Sequence, residues 1–250
     1  MTFNYITITF ILLTFLVFIL FTGPNRWDRF YKNFTLLFSS IIFFISLQIW
    51  FNCSWFMVSY PIYSKFLNIV NLQCFFAVDF TSLFFILLTT LLFPFCILAS
   101  WDMSQVRLLY LNLVLIEIGL ILTFTIFDLF LFCLFFESVL IPMFFIILWW
   151  GSRDRRIKAL TYFFLYTLLG SVFLFLVLFA IYYEIGSTSF FSIYEWVAQR
   201  KQFISGQFIF NYITLILFLV FAVKIPVFPF HIWNTKGYPL CEYCGLYLST

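Results

Sequence analysis

Three ionisable side chains lie deep within long apolar stretches of this sequence: Glu117, Glu137 and Lys224. A charge near the centre of a bilayer costs at least about 2.5–3.5 kcal/mol on insertion scales, so such residues usually face a protein interior or a hydrated cavity. A carboxylate and an amine held in that setting can pass protons, because each changes the protonation of the other. A structural polar contact, or a carboxyl group that stays protonated and silent, is the alternative. We interpret the set as a proton relay within the membrane.

Prolines follow two of these residues closely. Pro142 cannot donate a backbone hydrogen bond to the turn that contains Glu137, which predicts a loosened helix whose released carbonyl can hold water. Pro226 and Pro229 follow Lys224 and predict a broken helix there. Broken helices at membrane depth occur where the backbone lines a cavity or is covered by protein. We therefore expect both sites to be functional, against a silent Glu137 or a Lys224 that snorkels to the surface.

Glu117 and His231 are weaker candidates for the same relay. Glu117 has no helix breaker beside it, so a secondary relay position and a helix–helix hydrogen bond both remain open. His231 follows the predicted break, and histidine titrates near neutral pH, which suits proton shuttling. It could instead be an interfacial residue beside the Trp233 anchor. We favour shuttling because His231 is predicted to share a helix with Lys224.

The elements that position these residues must be membrane-spanning helices. The chain has 250 residues, of which 65% are hydrophobic and 9% charged, and its mean hydropathy is +1.11. Ordinary soluble domains carry roughly 25% charged residues. A water-soluble fold could not cover its surface with so few charges, so lipid must surround most of the chain. The predicted fold class is an all-α, polytopic membrane protein.

Composition and motifs exclude several classes of function. The net charge of +3 and the absence of a basic run argue against nucleic-acid binding. The sequence has no GxGxxG, P-loop, HExxH or CxxCH motif, so we expect no cofactor and no redox centre in this chain. Cys241 and Cys244 have CxxC spacing, but without a second CxxC or a His pair they are a weak zinc signal, and no metal site is predicted.

Seven stretches are long enough to cross the hydrocarbon core, which takes about 20 apolar residues in a helix. No basic segment precedes the first stretch and no small-residue cleavage site follows it, so we expect a retained span. Residues 234–250 are expected to form an irregular tail. The predicted spans, within a single transmembrane domain, cover about residues 2–22, 35–60, 80–99, 108–127, 128–150, 159–183 and 207–233.

Basic residues are unevenly divided between the loops of this arrangement. Nine of the 13 Lys and Arg residues fall on the side opposite the N-terminus, and three fall on the N-terminal side. Basic loops stay in the compartment where a membrane protein is made. The N-terminus is therefore predicted to face the other compartment, and we assign the basic loops no catalytic role.

Several motifs resemble the chain 4 family of mitochondrial NADH:ubiquinone oxidoreductase, the respiratory complex I. The similarity runs from about residue 70 to 233, and the motifs follow one another in the family's order. They are DFTSLFFILLTT at 79–90, FESVLIP at 136–142, WGSR at 150–153, YFFLYTLLGS at 162–171, FAVKIP at 221–226 and HIW at 231–233.

The resemblance implies an antiporter-like subunit of the membrane arm. In that family a Glu on the fifth span pairs with a Lys on the seventh, and these match Glu137 and Lys224. The family fold contains two inverted five-helix repeats, each with a broken helix, which is a common transporter design. The seventh span here corresponds to the broken helix of the first repeat.

The sequence departs from the family after His231 and Trp233. The family continues with a Leu-Pro-Lys-Ala-His motif and further spans, whereas this sequence reads NTKGYP at 234–239 and ends at Thr250. The resemblance therefore covers the N-terminal half of the family fold only. We expect the partners to be membrane lipid and other membrane-arm subunits, including a second chain that carries the remaining half.

Three hypotheses of function follow. The first is a proton-translocating, non-redox subunit of NADH:ubiquinone oxidoreductase in the mitochondrial inner membrane, with its N-terminus on the intermembrane-space side. The second is a scaffold subunit of the same complex that conducts nothing, where a buried acid–base pair serves only packing specificity. The third is a stand-alone sodium/proton antiporter half, which the absence of a self-contained exit path disfavours.

Overall fold

A computed structural model describes residues 2–23, 28–52, 64–69, 72–76, 78–103, 105–150, 156–200 and 207–224 of the chain. Within these residues it consists of α-helices and one antiparallel hairpin. The hairpin pairs β1 (Ser64–Ile69) with β2 (Leu72–Phe76). The helices are α1 (Thr2–Thr22), α2 (Asp28–Asn52), α3 (Phe80–Ala99), α4 (Val106–Thr125), α5 (Leu129–Ser138), α6 (Leu140–Trp150), α7 (Arg156–Ile185), α8 (Phe190–Arg200) and α9 (Gln207–Lys224).

The predicted fold class, an all-α polytopic membrane protein, is confirmed. In the described residues five segments are long and apolar enough to cross a membrane, and two shorter apolar helices cover Ile8–Thr22 and Ile213–Val223. Large apolar side chains cover the outside of these helices, as lipid-facing residues would. The five segments are Asp28–Phe51, Phe80–Ala99, Val106–Thr125, Leu129–Trp150 and Leu160–Ile185.

Two helices start earlier than the sequence analysis predicted. α2 begins at Asp28 instead of residue 35, and α7 begins at Arg156 instead of residue 159. The predicted bounds refer to the segments that cross the membrane, and these helices also include polar and basic residues before them. A helix can continue past the hydrocarbon core: the 30 residues of α7 extend about 45 Å at 1.5 Å per residue, whereas the core is about 30 Å thick.

The hairpin and α8 have no counterpart in the sequence analysis, which left both regions as connections between spans. α8 has 11 residues with an apolar face, on which Ile193 packs against Val177 and Ile181 of α7. The opposite face exposes Phe191 and Tyr194. Such a helix is too short to span a bilayer, so a search for apolar stretches of about 20 residues does not detect it.

The chain folds into two compact units, where the sequence predicted one domain. The first contains Met1–Ile126 and Ser138–Ile146, and the second contains Phe127–Glu137 and Ile147–Thr250. Among the described residues, α1 to α4, the hairpin and most of α6 belong to the first unit, and most of α5 with α7, α8 and α9 belongs to the second.

In the first unit, α2 packs between α1 and α3, and α4 packs against α1 and α3. A buried hydrogen bond of 2.8 Å joins the hydroxyls of Ser46 on α2 and Thr90 on α3. Two basic side chains cap helix ends that would leave carbonyls unpaired. Arg107 donates to the carbonyls of Leu20 and Phe21 at the end of α1.

The second basic contact lies just after α3. Lys32 donates to the carbonyl of Trp101 and lies over the Trp101 ring, with its ammonium 5.6 Å from the ring centroid. Cations near helix C-termini are favourable because the last carbonyls carry partial negative charge. Lys32 and Arg107 were predicted to lie in loops and to set the orientation of the chain. These contacts show that they also hold helices together.

Candidate proton-relay site

Glu117 is the most enclosed acidic side chain that the structure describes. It lies in the middle of α4, is 1% exposed, and its Oε1 has no hydrogen-bond partner among the described residues. Cys96 of α3 is close enough to interact with it electrostatically. A buried polar atom without a hydrogen bond costs free energy, so it needs a reason. Proton transfer would be one such reason, and it is the role that the sequence suggests for Glu117 as a secondary relay position.

The backbone beside Glu117 packs very closely. A Cβ atom added to Gly119 would lie 2.5 Å from Cγ2 of Val139, which is inside van der Waals contact. Only glycine at 119 allows this approach of α4 to Val139. Glu117 is therefore held by an unbroken 20-residue helix and by tight neighbours.

Glu137 is placed differently, in the last turn of α5. Its side chain is half-buried, and its Oε1 is buried without a hydrogen-bond partner among the described residues. The helix is interrupted at Val139, so α5 ends at Ser138 and α6 begins at Leu140. Pro142 lies in the first turn of α6, and the interruption stands before it. The carboxylate therefore lies one residue from the end of a short helix.

Packing within the second unit relates Glu137 to the end of α9. Cys133 of α5 and Val220 of α9 belong to one buried cluster, together with Leu174 and Leu178 of α7. One turn earlier on each helix, Leu129 and Ile216 pack against this cluster and against the adjoining one. Both helices therefore contribute to the same packing surface on α7.

The two predicted relay partners each follow a member of this cluster by one helical turn. Four residues after Cys133 is Glu137, and four after Val220 is Lys224, the last residue of α9. Helical residues four apart lie on the same face. Glu137 and Lys224 thus each lie one turn beyond a member of the same buried cluster. The side chain of Lys224 lies outside the described part of the structure.

Three other predicted site residues, Pro226, Pro229 and His231, lie outside the described residues, and so does the tail at 234–250. Glu117 belongs to the first unit and Glu137 to the second. In the described part of the chain, no group of three or more His, Cys, Asp and Glu residues could hold a metal ion.

One acidic residue of the second unit was overlooked. Asp128 is 6% exposed, and its carboxylate accepts hydrogen bonds from the amides of Phe130 and Leu131 and from the Thr188 hydroxyl. The sequence analysis treated it only as the start of the fifth span. An Asp directly before an apolar helix is a helix N-cap signal, and that signal could have identified its role.

A family model described as the transmembrane region of NADH:quinone oxidoreductase and Mrp antiporters matches residues 127–240. Sequence relatives agree with it. A protein of Chondrus crispus named NADH-ubiquinone oxidoreductase chain 4 is 41% identical over 226 residues, which are 89% of this chain and 44% of that protein. The chain belongs to the NADH:quinone oxidoreductase/Mrp antiporter family. The chain 4 protein of Arabidopsis thaliana is 39% identical over 219 residues, 86% of this chain and 43% of its own length.

Solved structures show the same fold for members of this family. A chain of respiratory complex I from Thermus thermophilus with bound NADH has a TM-score of 0.73 at 23% identity, covering 97% of this chain and 50% of that one. A chain of the Mrp complex from Dietzia sp. has a TM-score of 0.72 at 16% identity, covering 94% and 43%. The matched region spans half or less of the length of each of these four proteins.

Proposed function

We propose that this chain forms part of a proton-translocating membrane-arm subunit of NADH:ubiquinone oxidoreductase in the mitochondrial inner membrane. The observation that carries the proposal is the placement of Glu137: a buried carboxylate oxygen without a hydrogen bond among the described residues, one turn beyond a buried cluster that α5 shares with the helix that bears Lys224. The relatives named chain 4 support the assignment to that complex. The N-terminus is proposed to face the intermembrane space.

The proposed mechanism is electrostatic, since no redox centre is expected in this chain. Ionised Glu137 stabilises the charged form of Lys224, because opposite charges favour each other in a poorly solvated site. When quinone reduction elsewhere in the complex weakens that pairing, burial favours the neutral amine and Lys224 releases its proton. His231 is proposed to accept it on the path out, and Glu117 is proposed as a secondary relay position.

The path is expected to continue beyond this region. The relatives carry as much sequence again outside the region that matches this chain. We propose that the relay works with that remaining half of the family fold and with neighbouring membrane-arm subunits. That a second polypeptide carries this half stays a prediction.

The test uses the intact complex in proteoliposomes, with Lys224→Met and Glu137→Gln. Both variants should assemble, since the charge is removed with little change in volume. Each should lower proton translocation per NADH oxidised, or the coupled turnover, by about tenfold or more, as expected when an acid–base group is lost. Glu195→Gln is the control, because Glu195 is an exposed carboxylate of α8 in the same unit.

The outcome separates the relay from the scaffold hypothesis. A scaffold requires normal assembly together with wild-type coupling in both variants. Wild-type proton translocation by Lys224→Met would remove Lys224 from the mechanism, and the same result for Glu137→Gln would remove the relay.

A further inference from the structure

The start of α5 is attached to the connection between α7 and α8 by hydrogen bonds through backbone and side chains. The amide of Leu129 donates to the carbonyl of Thr188 at 3.0 Å, and the amide of Phe190 donates to the carbonyl of Phe127 at 3.3 Å. Asp128 and Ser189 face each other as a single antiparallel bridge between these bonds. Residues 127–129 and 188–190 thus form a short sheet-like attachment, which we name the α5 latch.

The Asp128 carboxylate completes the latch. Its Oδ1 accepts from the amides of Phe130 at 2.9 Å and Leu131 at 3.2 Å, which caps α5. Its Oδ2 accepts from the Thr188 hydroxyl at 2.8 Å. Both oxygens are therefore used, one on each side of the latch. A buried carboxylate so paired is costly to disturb, because removing one partner leaves a desolvated group behind.

The α7 side of the latch is also well defined. Gly186 ends α7 with a φ of +77°, a conformation that favours glycine, and its amide donates to the Tyr182 carbonyl at 2.8 Å. A Cβ atom at this position would meet nothing within 4 Å, so the glycine is needed for its backbone angle alone. Ser192 then hydrogen-bonds the hydroxyls of Ser187 at 2.6 Å and Ser189 at 2.7 Å. The latch therefore connects α5 to an ordered turn.

The latch sets the depth of Glu137. Glu137 follows Asp128 by nine positions, which is about 14 Å along a helix. This length is close to half of a hydrocarbon core about 30 Å thick. α5 has only 10 residues and ends at Ser138, so no continuous helical ladder carries it into α6. Hydrogen bonds hold α5 at its start, and from there apolar packing against α7 and α9 continues to Cys133.

We propose that Asp128 and Thr188 are positioning residues for proton transfer at Glu137. By fixing the start of α5 against the turn that follows α7, they hold the Glu137 carboxylate in position. Loss of the latch lets α5 shift or rotate, and a displacement of about 1 Å at a reacting group is enough to cost up to a hundredfold in rate. This inference rests on the proposed function of Glu137.

The test compares four variants of the intact complex in proteoliposomes: Asp128→Ala, Asp128→Asn, Thr188→Val and Thr188→Ser. Thr188→Val removes the hydroxyl at nearly constant volume, whereas Thr188→Ser keeps it. Asparagine keeps the oxygen that caps α5, and its amide group can donate to the Thr188 hydroxyl. Proton translocation per NADH and the pH profile of coupled turnover are measured for each assembled complex.

We expect coupled turnover to fall about three- to tenfold in Asp128→Ala and about twofold in Thr188→Val, since the second change removes one hydrogen bond. The pH profile should shift in both variants, and the two conservative variants should restore it. Asp128→Ala combined with Thr188→Val should be no worse than Asp128→Ala alone, because both act on one contact.

Glu137→Gln, measured in parallel, distinguishes a failure of the latch inference from a failure of the proposed function. If Glu137→Gln lowers coupling but Thr188→Val and Asp128→Ala change only the amount of assembled complex, with wild-type turnover and pH profile per complex, the latch is structural and this inference is wrong. If Glu137→Gln itself keeps wild-type coupling, the proposed function is wrong. Should Asp128→Ala fail to assemble, Thr188→Val and Asp128→Asn decide by the same measurements.

Discussion

The two membrane carboxylates, Glu117 and Glu137, share one feature and differ in almost every other. Each has a buried oxygen without a hydrogen-bond partner among the described residues. Glu117 lies in the middle of an unbroken helix of 20 residues, and Gly119 packs tightly on Val139 beside it. Glu137 is half-buried near the end of a helix of 10 residues that is attached at its other end by the α5 latch.

The difference indicates two kinds of buried charge. A side chain enclosed by rigid neighbours can change its protonation only where it stands. A side chain at a helix interruption can also change its position, because interrupted backbone carbonyls can take water or new partners. We therefore interpret the first unit as a framework, and we propose that proton transfer depends on the interrupted helix of the second.

The largest expected difference is between Glu137→Gln and Glu117→Gln. Coupled proton translocation should fall about tenfold or more in the first variant, and about two- to threefold in the second, as expected for a principal and a secondary proton carrier. The measurement is protons translocated per NADH in proteoliposomes containing equal amounts of complex. Equal losses in the two variants would remove the distinction between the carboxylates.

Gly119→Ala should have the next largest effect, on stability rather than on coupling. The new methyl group would lie 2.5 Å from Cγ2 of Val139, and overpacking of this kind costs about 1–3 kcal/mol. We expect a lower melting temperature of the detergent-solubilised complex and less assembled complex. Adding Val139→Ala should restore much of the loss, and a stable Gly119→Ala single variant would contradict the close packing.

Arg107→Met should loosen the end of α1. The guanidinium hydrogen bonds to the Leu20 and Phe21 carbonyls are charge-assisted, but their partial exposure to solvent reduces their contribution to about 1 kcal/mol. Limited proteolysis near residue 23 should become faster, while coupling per assembled complex stays unchanged. Arg107→Lys keeps the charge, so its rate of proteolysis should lie between those of the wild type and Arg107→Met. A coupling defect in Arg107→Met would mean that the first unit is more than a framework.

The smallest effect is expected for the hydroxyl pair between α2 and α3. Thr90→Val leaves Ser46 without its partner across the helices, and hydrogen bonds between membrane helices are worth about 0.6 kcal/mol on average. A small drop in melting temperature should follow, and Ser46→Ala in the same chain should add little, because both partners are then absent. Additive losses would show that the two hydroxyls act separately.

The sequence by itself determined that lipid surrounds this chain and that charges lie among its spans. Apolar length and the insertion cost of a charge are properties of residue order alone, so the helices and the candidates Glu117, Glu137 and Lys224 could be predicted. Helix ends could not, because the polar first turns of α2 and α7 resemble loops in composition.

The tertiary structure decided which groups belong together. Cys133 of α5 and Val220 of α9 join one cluster on α7, and the α5 latch joins Asp128 to Thr188, residues 60 positions apart. Neither is encoded by local periodicity, because a contact between distant segments depends on how whole helices pack. An interruption near Glu137 could be expected from Pro142, whereas the close packing of Gly119 on Val139 beside Glu117 is visible only in the tertiary structure.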